Sequence, residues 1–572
     1  MRSAELDQLL CQHPPFAALG AAGRRELSAR LVPFGLPGGR PLFKAGEPAD
    51  ALYLLVHGGL GVFDGAAALT HTLGAGMCVG ETSLLGGGAR HRTVRALRDS
   101  ELLRLDRAAF EALLQRYPAA LLQLARSTVA RLQPRARDHA NADAPRTFAL
   151  LPVDASVPAR VLAMQLCQAL EPLGSCLLLD AQAGAGRSAD WFAEREAQVR
   201  FVIYLDEAAD APWRQRCLRQ ADVLLPVALA AHEARPWPQL GDPALARHRP
   251  RHLLLLHPGH GVTLGAAGRW RAMFSGPLMH HHLCRQADTA RVARLISGHG
   301  RGVVLAGGGA RGLAHLGALR ALGEAGHAFD AVGGTSIGAI VGAGLAAGWP
   351  LAQWQARCVD SFVRGRPLSD WTVPIVALTR GARASRALRE SFGALQIDDL
   401  PLPFFCVSTS LSGESQRVHR HGPLWLWLRA SSAIPGVLPP VLERGRVHVD
   451  GALANNLPTD VMAADGIRHI TALDVRAEIS LRTDVDESAT PPWWRLLVRK
   501  HQRPGLVSSL VRAGMVNGET AALQRRALAQ RLITPELDHI GVLDWKAWER
   551  AVQAGYLAAR QVLQDEQADA PA

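Results

Sequence analysis

The sequence predicts a multidomain α/β chain: a small N-terminal β-barrel closed by helices, an intermediate parallel α/β layer, and a C-terminal α/β/α domain that carries the chemistry. Three observations point there. The 572 residues exceed what a single hydrophobic core organises. Short strand-like runs with glycine turns give way to apolar runs alternating with helical stretches. Beyond Arg301 a glycine turn, a G-x-S-x-G pentapeptide and an Asp-Gly turn each close an apolar strand.

Composition bounds the rest. Apolar residues make up 48% and charged residues 20%, enough to bury cores and far from a disordered balance. Lys and Arg (63) exceed Asp and Glu (51), a formal charge of +12 that admits both nucleic acid and anionic membrane as partners. The eight cysteines, at 11, 78, 167, 176, 217, 284, 358 and 406, lack C-x-x-C pairs and the density of a disulfide scaffold, so a reducing cytosol is expected. Glu5, Asp7 and the Pro14-Pro15 break do not resemble a secretory signal. The most apolar region, Val303 to Trp349, is interrupted by Arg311, Arg320, Glu324 and Asp330, and so falls short of the ~20 residues that cross a bilayer. The expectation is a cytoplasmic protein that meets a membrane, if at all, peripherally on its inner face.

Residues 1–133 read as a helix, then strands at Pro41 to Glu47, Ala51 to Val56 and Gly58 to Phe63, then a helix over Arg107–Leu132. Gly80-Glu81-Thr82-Ser83-Leu84-Leu85 followed by Arg90 resembles the phosphate cassette of cyclic-nucleotide-binding domains. The resemblance implies that backbone amides near Gly80 and the Arg90 side chain hold a cyclic phosphate while Glu81 takes the ribose hydroxyl. His91 and Arg92 depart from it, standing where that family has small residues against the nucleotide. Weak or absent binding of cyclic nucleotide, and a structural or docking role for the barrel, are therefore expected.

Residues 134–146 have linker composition. In 147–265, apolar runs at Phe148–Val153, Cys176–Leu179, Phe201–Leu205, Val223–Val227 and Leu253–Leu256 alternate with helical stretches, the cadence of a Rossmann-like parallel layer. Gly184-Ala-Gly-Arg-Ser188 faintly suggests a phosphate loop, but Arg187 replaces the lysine and the first glycine is misplaced, so a decayed or purely structural nucleotide fold is expected. A helical connector fills 266–300. Its His280-His281-His282 has no accompanying carboxylate or thiolate set and reads as a surface or packing feature. No metal and no cofactor are expected.

The region 301–475 holds the candidate chemistry, and 476–572 is read as an extension completing that domain. Val303 to Ala306 runs straight into Gly307-Gly308-Gly309-Ala310-Arg311-Gly312, followed by a helix over Leu313–Ala325. A glycine turn at a helix N-terminus leaves N–H groups open to an anion or a developing oxyanion. By itself the pattern equally fits a dinucleotide fingerprint, with Asp330 near the distance at which an acid would meet a ribose. Ser336 lies in Gly334-Thr335-Ser336-Ile337-Gly338, between an apolar run and a helix, where flanking glycines tolerate a tight turn and expose the hydroxyl. Val447-His448-Val449-Asp450-Gly451-Ala452 supplies a carboxylate whose pKa rises if it is held dry beside a serine.

These elements, with Arg429-Ala-Ser-Ser-Ala-Ile-Pro-Gly-Val-Leu-Pro-Pro440 between them, resemble the patatin-like phospholipases over Gly302 to Val475, with a weaker match near Leu543–Leu563. The resemblance implies a Ser336–Asp450 dyad without histidine and an oxyanion hole in the Gly307–Gly312 loop, with the amides of Gly308 and Gly309 as donors and Arg311 as the loop's basic residue. The order of the three regions, and the run His282 to Arg294, look like the neuropathy target esterase branch. That implies lysophospholipid or phospholipid as substrate, without calcium or nucleic acid. A dinucleotide-binding oxidoreductase and a regulatory, nucleotide-sensing protein with weak or absent esterase activity are the competing classes. His469, placed after Asp450, is the candidate for a triad histidine. Pro491-Pro-Trp-Trp-Arg-Leu-Leu-Val-Arg-Lys500 has the composition of an interfacial segment, or equally of a packed tryptophan pair with a solvated basic face.

Overall fold

The computed structural model describes residues 3–11, 14–64, 68–74, 76–120, 122–124, 126, 145–207, 211–237, 249–413, 415–475 and 519–568. The 134–144 stretch of the linker and the Pro491–Lys500 segment lie outside them. Two units result, the first holding the N-terminal β-rich region and most of the intermediate layer, the second holding residues 280–572 with two short earlier segments.

The N-terminal region is built from two four-stranded antiparallel sheets. One orders Val32–Leu36, Ser100–Asp106, Ala51–His57 and Cys78–Val79; the other orders Pro41–Phe43, Thr93–Ala96, Leu60–Asp64 and Ala68–Leu73. Strand alternation explains its two cores. Ala51, Tyr53, Leu55 and Leu102 join Phe43, Leu60 and Val94 in one cluster. The intervening Leu52, Leu54, Val56, Leu103 and Leu105 face Leu10, Phe16, Leu27 and Phe110 of the helices. The helix predicted over Arg107–Leu132 is interrupted once among the described residues: one helix ends at Arg116, and residues 118–120, 122–124 and 126 are helical again. Pro118 drives the preceding Tyr117 out of helical geometry, to φ −126° and ψ 74°.

In the intermediate layer Cys176–Leu179, Phe201–Leu205, Thr147–Pro152 and Val223–Leu229 lie parallel in that order. Gly184 here serves packing: a Cβ on it would fall 2.2 Å from the Trp213 ring. Arg98, on the turn between two N-terminal strands, hydrogen-bonds Thr147 Oγ1 and the Gln220 carbonyl of this layer.

In the second unit, a sheet runs Val441–Glu443, Arg446–Asp450, Phe404–Ser410, Ala331–Thr335, Arg301–Leu305, His469–Leu473 and Arg531–Ile533, with Gln416–His419 also pairing Phe404–Ser410. From Phe404–Ser410 to Arg531–Ile533 the neighbours along this path are parallel, and the pairs at the other end are antiparallel. Helix Ala314–Glu324 meets the C-terminal helix Trp548–Ala568 through glycines. A Cβ on Gly317 would lie 1.8 Å from the Val552 carbonyl oxygen, and one on Gly555 1.9 Å from that of Ala314. The histidine triplet lies on strand Met279–Leu283, where His280 and His282 both hydrogen-bond the Asp398 carbonyl, at 3.0 and 2.8 Å. His281 and His282 are buried, so the triplet belongs to packing and not to the surface. Among the described residues no helix is long and apolar enough to cross a membrane, and no His, Cys, Asp and Glu cluster could hold a metal.

Candidate active site

Strand Ala331–Thr335 ends in Ser336, and helix Ile337–Ala346 begins on the next residue. So abrupt a reversal forces Ser336 to φ 56° and ψ −127°, a conformation costly for any side chain but glycine. The flanking glycines are required by contact. A Cβ on Gly334 would sit 2.7 Å from the Gly338 carbonyl carbon, and one on Gly338 2.3 Å from the Leu305 carbonyl oxygen.

Asp450 ends strand Arg446–Asp450, opposite Ser408 of the neighbouring strand. Ser336 Oγ donates to Asp450 Oδ2 at 2.8 Å, while Asp450 Oδ1 accepts from the Ala452 N–H at 2.9 Å. Both side chains are buried, Ser336 being 6% and Asp450 4% exposed. Burial raises the Asp450 carboxyl to about 6, against the opposing pull of the Ala452 N–H and the Ser336 hydroxyl. Gly451 is fixed because a Cβ there would strike the Val407 carbonyl oxygen at 2.1 Å.

Among the described residues no histidine hydrogen-bonds either side chain. His448, two residues before Asp450, contacts Ser408 Oγ at 3.1 Å. His469 opens its strand opposite Arg301, whereas Ser336 follows the far end of the neighbouring strand, so the length of the sheet separates them. The dinucleotide alternative loses its acid: Asp330 is buried and held by Arg294 at 2.6 Å and by the Arg301 N–H.

The glycine loop passes beside Ser336. A Cβ on Gly307 would lie 3.0 Å from Ser336 Cβ, and one on Gly312 2.1 Å from an Ile337 methyl carbon. Gly307 N–H donates to the Asn456 carbonyl at 3.3 Å, Asn456 Nδ2 returns a bond to the Gly307 carbonyl at 3.1 Å, and Ala310 N–H donates to the Val542 carbonyl at 2.8 Å. Gly308 and Gly309 lie between these anchors. Gly309 takes φ 56°, and a Cβ on it would meet the Val542 oxygen at 2.2 Å. Arg311 is buried and donates from Nε to the Ile540 carbonyl at 2.6 Å, which orders the loop.

Sequence reading missed four residues that build this geometry. Ser431 Oγ accepts the Ser336 N–H at 2.8 Å and donates to the Val407 carbonyl at 2.6 Å, holding the strained turn. Asn456, Ile540 and Val542 hold the loop. Ser431 stood inside the quoted Arg429–Pro440 run, but nothing local gave it a role.

In the cassette near the N-terminus the arginine is partnered within the chain. Arg90 is buried against the Phe43 ring at 4.1 Å and donates to the carbonyls of Gly80 and Ala51 and to Asp50. Glu81 is buried, while His91 and Arg92 are exposed.

Comparison with known proteins adds three family matches: "Cyclic nucleotide-binding domain" over residues 35–117, "Neuropathy Target Esterase family P-loop like domain" over 145–299, and "Patatin-like phospholipase" over 303–463. An uncharacterized NTE family protein of Mycobacterium tuberculosis is 32% identical over 92% of this chain and 91% of its own. Patatin-like phospholipase domain-containing protein 7 of Rattus norvegicus is 29% identical, covering 93% of this chain and 45% of its own. Patatin-like phospholipase domain-containing protein 6 of Homo sapiens is 30% identical, covering 85% and 41%. The chain thus spans less than half the length of these mammalian relatives. The solved sensor domain of the transcriptional regulator DNR from Pseudomonas aeruginosa, 26% identical with a TM-score of 0.21, covers 23% of this chain and 91% of its own.

Proposed function

Because this chain belongs to the NTE family and carries its patatin-like phospholipase domain, we propose that it is a serine esterase hydrolysing the carboxylic esters of lysophospholipids or phospholipids. The observation that carries the reading is the buried 2.8 Å hydrogen bond from Ser336 Oγ to Asp450 Oδ2 beside a glycine loop at a helix start.

The chemistry follows from that geometry. Ser336 Oγ attacks the ester carbonyl as Asp450 Oδ2 takes its proton, and the raised carboxyl pKa makes Asp450 a stronger base than an exposed aspartate. Negative charge gathers on the former carbonyl oxygen, and the amides of Gly308 and Gly309 are the donors proposed to meet it. Asp450 returns the proton to the leaving alcohol; a water, deprotonated by the same carboxylate, then adds to the acyl-enzyme carbonyl, and the Ser336 oxygen leaves as Asp450 hands that proton back to it, releasing the fatty acid. No step requires a metal or an organic cofactor.

Working on lipid, the protein acts peripherally at a membrane surface on the cytoplasmic side. The test is hydrolysis of a fluorogenic short-chain ester by the purified chain, with headgroup-resolved lipid analysis to follow. Turnover is expected in the parent and absent in Ser336→Ala; equal turnover in the two would sink the assignment.

A further inference from the structure

The segment from Trp371 to Thr379 forms a small hairpin. Trp371 and Thr379 bridge its base, Thr372 N–H donates to the Leu378 carbonyl at 3.1 Å, and the chain turns at Val373-Pro374-Ile375-Val376. Its large apolar side chains point outward: Trp371 is 68% exposed, Val373 72%, Ile375 88% and Val376 67%. Single exposed hydrophobics are ordinary on a protein surface, but several on one projecting turn mark a place where something apolar is met.

The surrounding charge says what that is. Arg380 leads into helix Ala382–Phe392, which presents Arg383, Arg386 and Arg389 at intervals of three, within an arc of about 120°. Leu388 and Phe392 of the same helix are buried. On the other side of the hairpin Arg366 is exposed. The nearby acids offset little of this: Asp370 accepts the Arg383 N–H, Asp360 pairs with Arg364, and Glu390 stands alone among the arginines of its helix.

We propose that this hairpin and its arginines form the surface by which the catalytic domain docks on an anionic lipid bilayer. Ile375 and Val376 enter the acyl region, Trp371 sits at the headgroup boundary, and the guanidinium groups meet lipid phosphates, the depth order in which these side chains partition at an interface. The choice of lipid as partner rests on the esterase reading above. The hairpin is also coupled to the site. Leu378 and Thr379 N–H donate to the carbonyls of Gly436 and Val437, and Ala433, at the start of that same segment, accepts the Asp450 N–H at 2.9 Å. A hairpin seated in lipid therefore brings the dyad's own framework to the surface where its substrate lies.

Sedimentation of the full chain with phosphatidylcholine vesicles, with and without phosphatidylglycerol, tests this. The parent is expected to bind the anionic vesicles and to release them as salt rises. The Ile375→Asp/Val376→Asp variant should lose binding by about tenfold or more. Arg383→Gln/Arg386→Gln should lose affinity for anionic vesicles and not for neutral ones. Ser336→Ala should bind like the parent, which separates docking from catalysis. Turnover of a water-soluble short-chain ester serves as the fold control for the hairpin variant, whose changed residues touch neither the dyad nor the glycine loop. If the parent hydrolyses no ester yet binds vesicles through the hairpin, the esterase reading falls and the docking surface stands. Parent binding that survives the hairpin substitutions, or a lipid-free dimer that those substitutions dissolve, would overturn the proposal, the second by giving the tip to another copy of the chain.

Discussion

Ser336 Oγ and Asp450 Oδ2 lie 2.8 Å apart, with the second carboxylate oxygen held by the Ala452 N–H, so the hydroxyl is the partner on which the dyad's free oxygen acts. The prediction is that Asp450→Asn lowers kcat by about 10³-fold, the scale of losing a general base, while His469→Ala keeps most activity. Steady-state kinetics on a short-chain ester, with circular dichroism to confirm folding, checks both. A folded His469→Ala protein as inactive as Ser336→Ala would replace the dyad with a triad.

Activity should also track the ionisation of Asp450. Its carboxyl is raised to about 6 by burial, and only the ionised form accepts the serine proton. With lipid-free substrate, kcat/KM is expected to be level above that pH and to fall about tenfold per unit below it. A profile flat down to pH 4.5 would contradict the assignment.

The same shift has a stability consequence of opposite sign to that of a salt-bridged aspartate. A folded carboxyl raised above its unfolded value binds its proton more tightly when folded, so its contribution falls as pH rises from about 4 to about 6. Asp450→Asn removes that penalty while leaving an acceptor for the Ala452 N–H. Its Tm at pH 7.5 should exceed the parent's, with up to about 3 kcal/mol of stabilisation, and the gap should close near pH 4. An equal gap at both pH values would show that packing, not ionisation, was responsible.

Two glycine substitutions make a paired test of the steric argument. In Gly338→Ala the new carbon would lie 2.3 Å from the Leu305 carbonyl oxygen and 2.5 Å from that of Ala306, neither of which can move without distorting the sheet or the glycine loop. Loss of several kcal/mol of stability and of activity is expected. Gly323→Ala meets nothing within 4 Å in helix Ala314–Glu324 and should be neutral or stabilising by about 0.5–1 kcal/mol. Urea melts of both variants provide the comparison.

For the N-terminal region, calorimetry with cyclic AMP should give no saturable heat, because the Arg90 guanidinium is already committed to carbonyls and to the Phe43 face. Arg90→Ala should instead destabilise its fold by about 1–3 kcal/mol, by stranding the Gly80 and Ala51 carbonyls. Tight binding abolished by that substitution would restore the nucleotide-sensor reading.

Local pattern made part of this molecule legible. The strand, glycine turn and helix around Gly307–Gly312, the tight turn at Ser336 and the Asp-Gly end of Arg446–Asp450 are each encoded within a few residues, so sequence spacing was enough to find them. The break at Tyr117 in the Arg107–Leu132 helical stretch was missed because Pro118 was given too little weight against apolar periodicity. Ser431, Asn456, Ile540 and Val542 were illegible for another reason. Three of them act through backbone carbonyls or an amide reaching across the chain, from Asn456 to Gly307 and from Val542 to Ala310, and a carbonyl has no residue type to recognise. The outward hairpin at Trp371 likewise reads as an ordinary apolar run until its exposure is known.

The glycine loop is held by carbonyls of Ile540 and Val542, more than 200 residues downstream of it. During synthesis, Ser336 and Asp450 emerge from the ribosome long before the residues that fix the loop beside them. A nascent chain ending at Val475 would own a serine and an aspartate but lack the clamps that shape the loop. Ester cleavage would then begin only once the residues around Ile540 and Val542 have emerged and folded, sparing nearby lipid until that point. Activity in a ribosome-stalled chain of that length would show the clamps to be dispensable.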